Sequence, residues 1–201
     1  GDIYYDGSTV LVPLTDETTV KEYDTNFNDL NSDNDVYTES KDIDRTYVGL
    51  DEDGSSYYLA DSNYDEVVEY DGTWSKTNEF NLATEVDALL IRNGNYYVLE
   101  YGSSSASVTE YDSSWSAGTT YELNRKAFDL VSAPDGNFYL LADDGNSEEA
   151  VYEYDSNFNE ISQVVSASQV ALNSNTLGRI DSYVYTEDGG DLTEFEINSP
   201  P

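Results

Sequence analysis

The chain has no cysteine, no histidine and no methionine among its 201 residues. Without cysteine there is neither a disulfide nor thiolate chemistry. Without histidine as well, a Ser/His/Asp or Cys/His catalytic arrangement is excluded, and so is a zinc site built on His or Cys ligands. Basic residues are scarce: 8 Lys and Arg stand against 42 Asp and Glu, a formal charge of −34. No nucleic-acid partner is expected, because holding a phosphate backbone needs clustered Lys and Arg. No run approaches the ~20 apolar residues of a membrane-spanning helix, so no membrane insertion is expected. There is no signal-peptide core, and the sequence opens on Gly1, which reads as an initiator removed or a precursor cleaved. Neither a Walker loop nor a dinucleotide fingerprint occurs.

What is present is tyrosine, 19 residues of it, within an aromatic content of 13%. A disordered acidic chain would be poor in aromatics, so the composition predicts a folded, β-rich protein. The acids are spread through every segment rather than gathered in one block. That pattern resembles proteins of salt-loving archaea and their viruses. So much like charge strains a compact state in dilute buffer, whereas at 1 M salt the Debye length falls to ~3 Å. The competing reading is an acidic surface that meets a basic partner.

One phrase recurs. Glu22-Tyr23-Asp24, Glu69-Tyr70-Asp71, Glu110-Tyr111-Asp112 and Glu153-Tyr154-Asp155 each follow a valine, at 20, 67, 108 and 151. A fifth, eroded copy carries Leu192, Glu194 and Phe195. The glutamates are 47, 41, 43 and 41 residues apart. Upstream of each phrase lies a turn and a β-rich run: "DGSTVLV", "DGSSYYLA", "NGNYYVLE" and "DGNFYLLA", with "IDSYVYT" in the fifth copy. Asp-Gly and Asn-Gly between apolar runs are hairpin signals, since Gly accepts φ > 0. Each copy thus reads as four short strands, and a period of this length with four strands is a propeller signature. The predicted fold is all-β: a five-bladed β-propeller of four-stranded antiparallel blades, the last incomplete. It forms one domain over 1–201, with blades near 1–40, 41–84, 85–125, 126–170 and 171–201. The fifth blade is expected to have three strands, or to be completed by another molecule.

In the phrase, side chains alternate faces, so the valine and the tyrosine should both be interior between blades. The aspartate should cap the following turn, and Phe27, Trp74, Trp115 and Phe158 should close over that hairpin. The glutamate is expected to accept hydrogen bonds from a neighbouring blade's backbone; a ring of five cation-binding carboxylates is the alternative. The turn followed by "YYLA…VVEYD…W" resembles the blades of NHL and kelch repeat proteins over nearly the whole chain. The kelch Gly-Gly pair is missing, and the Asp-box spacing of sialidases is not matched.

No cofactor is expected, although Ca2+, Mg2+, Na+ or K+ ions could sit on acidic loops, calcium being suited to oxygen ligands. The candidate ligands are Asp143, Asp144, Asn146, Glu187 and Asp188. The stretch 31–42 has side-chain oxygens at positions 1, 3, 5 and 12 of an EF-hand loop but Val36 in place of the glycine at its sixth position, so it reads as an acidic loop that could hold a cation and not as an EF-hand. Arg45, Arg92, Arg125, Lys126 and Arg179 lie beside the innermost strands and are expected to pair with carboxylates around a narrow channel. Variable loops on a fixed frame are where recognition sits, and the least charged of them, with Gly102, Ser103, Ser104 and Ser105, is the expected contact loop. The functional expectation is a non-enzymatic structural or interaction propeller, on a virion or an extracellular surface in high salt, with a receptor or host-attachment role. Its partners would be other structural proteins of the particle or surface layer, or a glycan or cell-surface receptor, within a larger assembly. A lectin-like propeller that stacks sugars on repeated Tyr and Trp is one alternative. A small glycosidase, using paired carboxylates, is another.

Overall fold

The computed structural model describes residues 4–5, 9–13, 19–24, 30, 37–38, 47–100, 102, 105–133, 136–146, 148–170, 176–180, 183–188 and 191–196. Among them every regular element is a β-strand, and the strands fall into five antiparallel sheets in chain order. The first sheet contains β1 (Tyr4–Tyr5), β2 (Val10–Pro13), β3 (Thr19–Tyr23) and β4 (Tyr37–Thr38). The second contains β5 (Tyr47–Asp53), β6 (Ser56–Asp61), β7 (Glu66–Asp71) and β8 (Lys76–Asn81). The third contains β9 (Val86–Arg92), β10 (Asn95–Glu100), β11 (Ser107–Tyr111) and β12 (Ala117–Glu122). The fourth contains β13 (Ala127–Ser132), β14 (Phe138–Asp143), β15 (Glu149–Tyr154) and β16 (Glu160–Val165). The fifth has three strands, β17 (Thr176–Ile180), β18 (Tyr183–Asp188) and β19 (Asp191–Glu196).

Each sheet is a meander, its strands pairing in sequence order. The first strands lie side by side: β5 against β9, β9 against β13, β13 against β17. β2 lies against β5 and β1 against β17, so adjacency runs from the last sheet back to the first. The second strands are central, and residues pointing both ways from them are buried: Leu59, Ala60, Val98, Leu99, Leu140 and Leu141 are at most 1% exposed. The fourth strands β8 and β12 are exposed along most of their length and form outer edges. Apolar burial therefore happens between sheets, as four clusters in which neighbouring sheets share one core. A single four-stranded meander could not cover both its faces; stacking around a circle does.

The repeated phrase explains this packing. Val67, Val108 and Val151 are fully buried, and Tyr70, Tyr111 and Tyr154 are buried on the opposite side of the same strands. The next residue builds the turn. Asp71 Oδ1 accepts the amides of Thr73 (2.9 Å) and Ser75 (3.0 Å), Asp112 Oδ1 those of Ser114 (2.8 Å) and Ser116 (3.0 Å), and Asp155 Oδ1 those of Asn157 (2.8 Å) and Asn159 (2.9 Å). The Thr73 hydroxyl on Asp71 (2.7 Å) and the Asn159 side-chain amide on Asp155 (3.0 Å), helped by the backbone amides, hold the carboxyls of Asp71 and Asp155 below the usual range. The turn forces its fourth residue into the left-handed region: φ is 59° at Trp74, 56° at Trp115 and 57° at Phe158. Bulky side chains rarely adopt that conformation. Trp74 closes over its own sheet as the sequence suggested, stacked on Tyr57 (4.4 Å), whereas the rings of Trp115 and Phe158 also reach the neighbouring sheet. Trp115 stacks on Phe80 of the second sheet (4.8 Å) and leans on Tyr96 and Tyr111 of its own (4.8 and 5.6 Å). Phe158 does the same between Tyr121 of the third sheet (5.0 Å) and Phe138 of the fourth (4.3 Å). Phe27 lies outside the described residues.

Candidate functional site

The meander gives the molecule two unlike faces. One carries the tight turns from first to second and from third to fourth strand, with the aromatic wedges. The other carries the second-to-third-strand loops and the connectors between sheets, and the residues with individual chemistry gather there.

A β-bulge recurs on this loop face. In the second sheet Tyr47 pairs with Asp61 and Gly49 with Ala60, so Val48 is the extra residue. In the third, Val86 pairs with Glu100 and Ala88 with Leu99, leaving Asp87. In the fourth, Ala127 pairs with Ala142 and Asp129 with Leu141, leaving Phe128. A bulge re-aims its side chain and bends its strand. All three bulged residues are half-buried where the innermost strands begin. Val48 and Phe128 pack against the apolar clusters that bridge to the following sheets.

Asp87 occupies the same position with a carboxyl. Among the described residues no donor lies within hydrogen-bonding distance of it. Desolvation raises its pKa to about 6, with a smaller push from Glu85 and a partial counterweight from Lys126. Lys126 sits on the connector into the next sheet, its Nζ 5.1 Å from the centre of the Phe128 ring. Asp87, Glu85, Lys126 and Phe128 together make the mouth of the circle of first strands. A carboxyl so placed can bind a cationic group or exchange a proton near neutral pH.

Around this mouth the second strands end in buried acids. Asp61 is 0% and Glu100 8% exposed, at matching positions of adjacent sheets. Glu100 accepts hydroxyls from Ser107 (3.2 Å) and Thr109 (3.1 Å). Glu66, cross-strand from Asp61, is 4% exposed. Deeper in, carboxylates tie sheets together: Asp51 Oδ2 accepts the Ile91 amide (2.5 Å), and Asp129, 1% exposed, accepts the Leu177 amide (2.7 Å).

The basic residues go elsewhere than expected. Arg92 Nη1 donates to the carbonyls of Gly136 (2.8 Å) and Asn137 (2.9 Å) on the turn face, with its guanidinium 3.9 Å from the Phe138 ring centre. Arg125 runs outward over Tyr152 (4.1 Å) to a bidentate pair with Glu160, Nε–Oε2 2.8 Å and Nη2–Oε1 3.2 Å. That pair holds the Arg125 pKa above and the Glu160 pKa below their ordinary values. Only Lys126 of the described three stays by the innermost strands. The side chains of Arg45 and Arg179 lie outside the described residues.

Among the described residues, Glu69, Glu110 and Glu153 bond within their own sheets, not to a neighbour's backbone. Tyr58 donates to Glu69 (3.3 Å), Tyr121 to Glu110 (3.3 Å) and Asn137 to Glu153 (2.7 Å). The second-strand and fourth-strand positions beside the glutamate already hold donors, so nothing draws it across the interface. Glu22, Tyr23 and Asp24 are half-buried at the matching place in the first sheet; of Glu194 only its strand position is described, and Phe195 packs on the fourth-to-fifth cluster.

The candidate ion ligands are engaged in their own loop. Asp143 Oδ1 accepts the Gly145 amide (2.6 Å), and Asp144 accepts from the amides of Asn146 (2.7 Å) and Glu148 (3.3 Å) and from the Asn146 side chain (3.1 Å). Among the described residues no three acidic groups are grouped to hold a metal ion. Glu187 and Asp188 are placed as strand positions only, and the stretch 31–42 lies outside the described residues except for 37–38. In the expected contact loop, Gly102 and Ser105 are half-buried and so close that a Cβ on Gly102 would fall 1.6 Å from the Ser105 carbonyl. Ser103 and Ser104 lie outside the described residues.

No protein-family model matches the chain, and no curated protein sequence matches it. Solved structures do. A glutaminyl cyclase from Myxococcus xanthus superposes with a TM-score of 0.67 at 13% identity, over 98% of this chain and 90% of its own. Virginiamycin B lyase from Staphylococcus aureus gives 0.58 at 11% identity, over 99% of this chain and 70% of its own. BamB from Moraxella catarrhalis gives 0.52 at 14% identity, over 96% of this chain and 71% of its own. These neighbours are β-propeller-like proteins, and the likeness carries the fold. It also overturns the expectation that this chain is not an enzyme. That expectation rested on small, minimal blades, and a cyclase matched over 90% of its length shows that a frame of this size supports catalysis.

Proposed function

We propose that the chain is a single-domain, five-bladed β-propeller whose last blade has three strands, and that it works as a recognition module through its loop face. One observation carries this reading. The frame positions repeat from blade to blade, whereas the bulge positions at the mouth hold Val48, Asp87 and Phe128, a carboxyl at a geometric station that is apolar in the sheets on either side. A repeat kept for stability alone has no need of that difference. The partner is a protein presenting a cationic group beside an apolar one, matched to Asp87 and Phe128. The setting is a particle or cell surface in concentrated salt, where a charge of −34 is screened. One fold neighbour, a Bacteroides fragilis chain described as exported, agrees with a surface setting. A peptide array and a glycan array, both read in molar KCl, test the proposal. Lysine- or arginine-bearing peptides should bind, and Asp87→Asn should abolish that binding. Binding that survives Asp87→Asn, or binding confined to glycans, would refute it.

A second reading has its own support. A carboxyl with a pKa of about 6 can take and return a proton, and enzymes share the fold. If the mouth is catalytic, turnover should show a pH limb near 6 that Asp87→Asn removes.

A further inference from the structure

The fifth sheet differs from the others in one respect. Among the described residues β19 pairs with β18 on one side and with no strand on the other, whereas β7, β11 and β15 each carry a fourth strand at that edge. A strand edge with open N–H and C=O groups is a template for another strand. We propose that the outer edge of β19 receives a strand from a partner protein, and that the complete sheets specify its pattern.

The pattern follows from register. Leu192 and Glu194 hold the places of Val67 and Glu69, as their pairing with the second strand shows: Val67 opposes Ala60 and Glu69 opposes Tyr58, while Leu192 opposes Glu187 and Glu194 opposes Tyr185. On the fourth strands, Phe80 opposes Val67, Tyr121 opposes Val108 and Val165 opposes Val151. Small polar residues oppose the glutamates, Asn78 at Glu69 and Ser162 at Glu153. The incoming strand therefore runs antiparallel to β19, with an aromatic or branched apolar residue opposite Leu192 and a small polar one opposite Glu194.

Charge decides between occupants. β18 and β19 contain Glu187, Asp188, Asp191, Glu194 and Glu196 and no Lys or Arg. Asp188 and Asp191 stand directly opposite each other, an arrangement that destabilises a strand pair. A second copy would bring another acidic edge to this one. A strand bearing Lys or Arg relieves the repulsion instead, as Lys76 does beside Glu79 on β8.

The test uses the full chain and two synthetic peptides copying residues 73–82, one unchanged and one with Glu79→Lys, in the lowest salt that keeps the protein folded. The E79K peptide should bind saturably, roughly tenfold tighter than the unchanged one, and should slow hydrogen exchange at the Asp191–Glu196 amides. Adding N78P to the peptide should abolish both effects, since Pro cannot donate to a ladder. Three results would overturn the proposal: no binding by either peptide, β19 amides fully protected in the free chain, or a self-associated dimer in sedimentation that buries this edge. Because the probe leaves the loop face intact, failure here is separable from failure of the mouth to bind.

Discussion

Trp115 shows how a single residue can be locally unfavourable and globally necessary. Its left-handed backbone costs about 1–2 kcal/mol, and its ring touches aromatic residues of two sheets. Trp115→Ala should lower stability by about 3 kcal/mol, read as a lower urea midpoint with the slope unchanged, while Trp115→Phe should retain most of it. Asp87 works in the other direction. Its native pKa is raised to about 6 from an ordinary value of 3.8. Between those values the native state binds more protons than the unfolded one, so stability falls as pH rises through the window and levels off above it. Asp87→Asn should flatten that slope and gain about 1 kcal/mol at pH 7, after discounting for solvent screening; melts from pH 4 to 8 in molar KCl would read it. Neither Asp87 nor the true partners of the repeat glutamates were legible in the sequence. "VDALLIR" reads as an ordinary strand, because a bulge is a property of pairing with β10 and leaves no local mark. The glutamate partners Tyr58, Tyr121 and Asn137 come from different strand positions in each sheet, so no repeated motif announces them.

At the scale of elements the sequence was far more informative. The glycine turns, the central apolar runs and the phrase with its capping aspartate each have a local cause, and each recurs, so strand number and order could be read directly. What could not be read is how closely one first strand approaches the next. Gly49 on β5 lies against β9 so tightly that a Cβ would sit 2.6 Å from the Leu89 nitrogen. Gly49→Ala should cost about 2 kcal/mol by forcing those strands apart. Gly54, in the turn with φ 71° and open space around it, should lose only about 1 kcal/mol on the same change. The comparison of the two variants by chemical denaturation separates steric contact between sheets from backbone strain within one. The destinations of Arg92 and Arg125 belong to this scale as well. Both leave the innermost strands because an aromatic face and fixed acceptors, carbonyls for one and Glu160 for the other, lie within reach of a long side chain.

For the molecule as a whole, charge and topology set the behaviour. With −34 spread over 201 residues, near-UV dichroism should disappear on dialysis to low ionic strength and return with salt; retention of the signal would mean that the acids serve a partner rather than the solvent. Topology adds a separate constraint. Every hydrogen-bonded pair within a sheet joins strands adjacent in sequence, so each meander can form early and independently. The meeting of β1 with β17 is different, because it joins segments from the two extremes of the chain. Its loop-closure entropy must be met all at once. That seam should zip last in refolding and unzip first under stress, giving the first and fifth sheets the fastest native-state amide exchange while the third stays protected to the global limit. A molecule built this way has a latch by construction, and whatever grips both sides of it would slow its unfolding without touching the mouth.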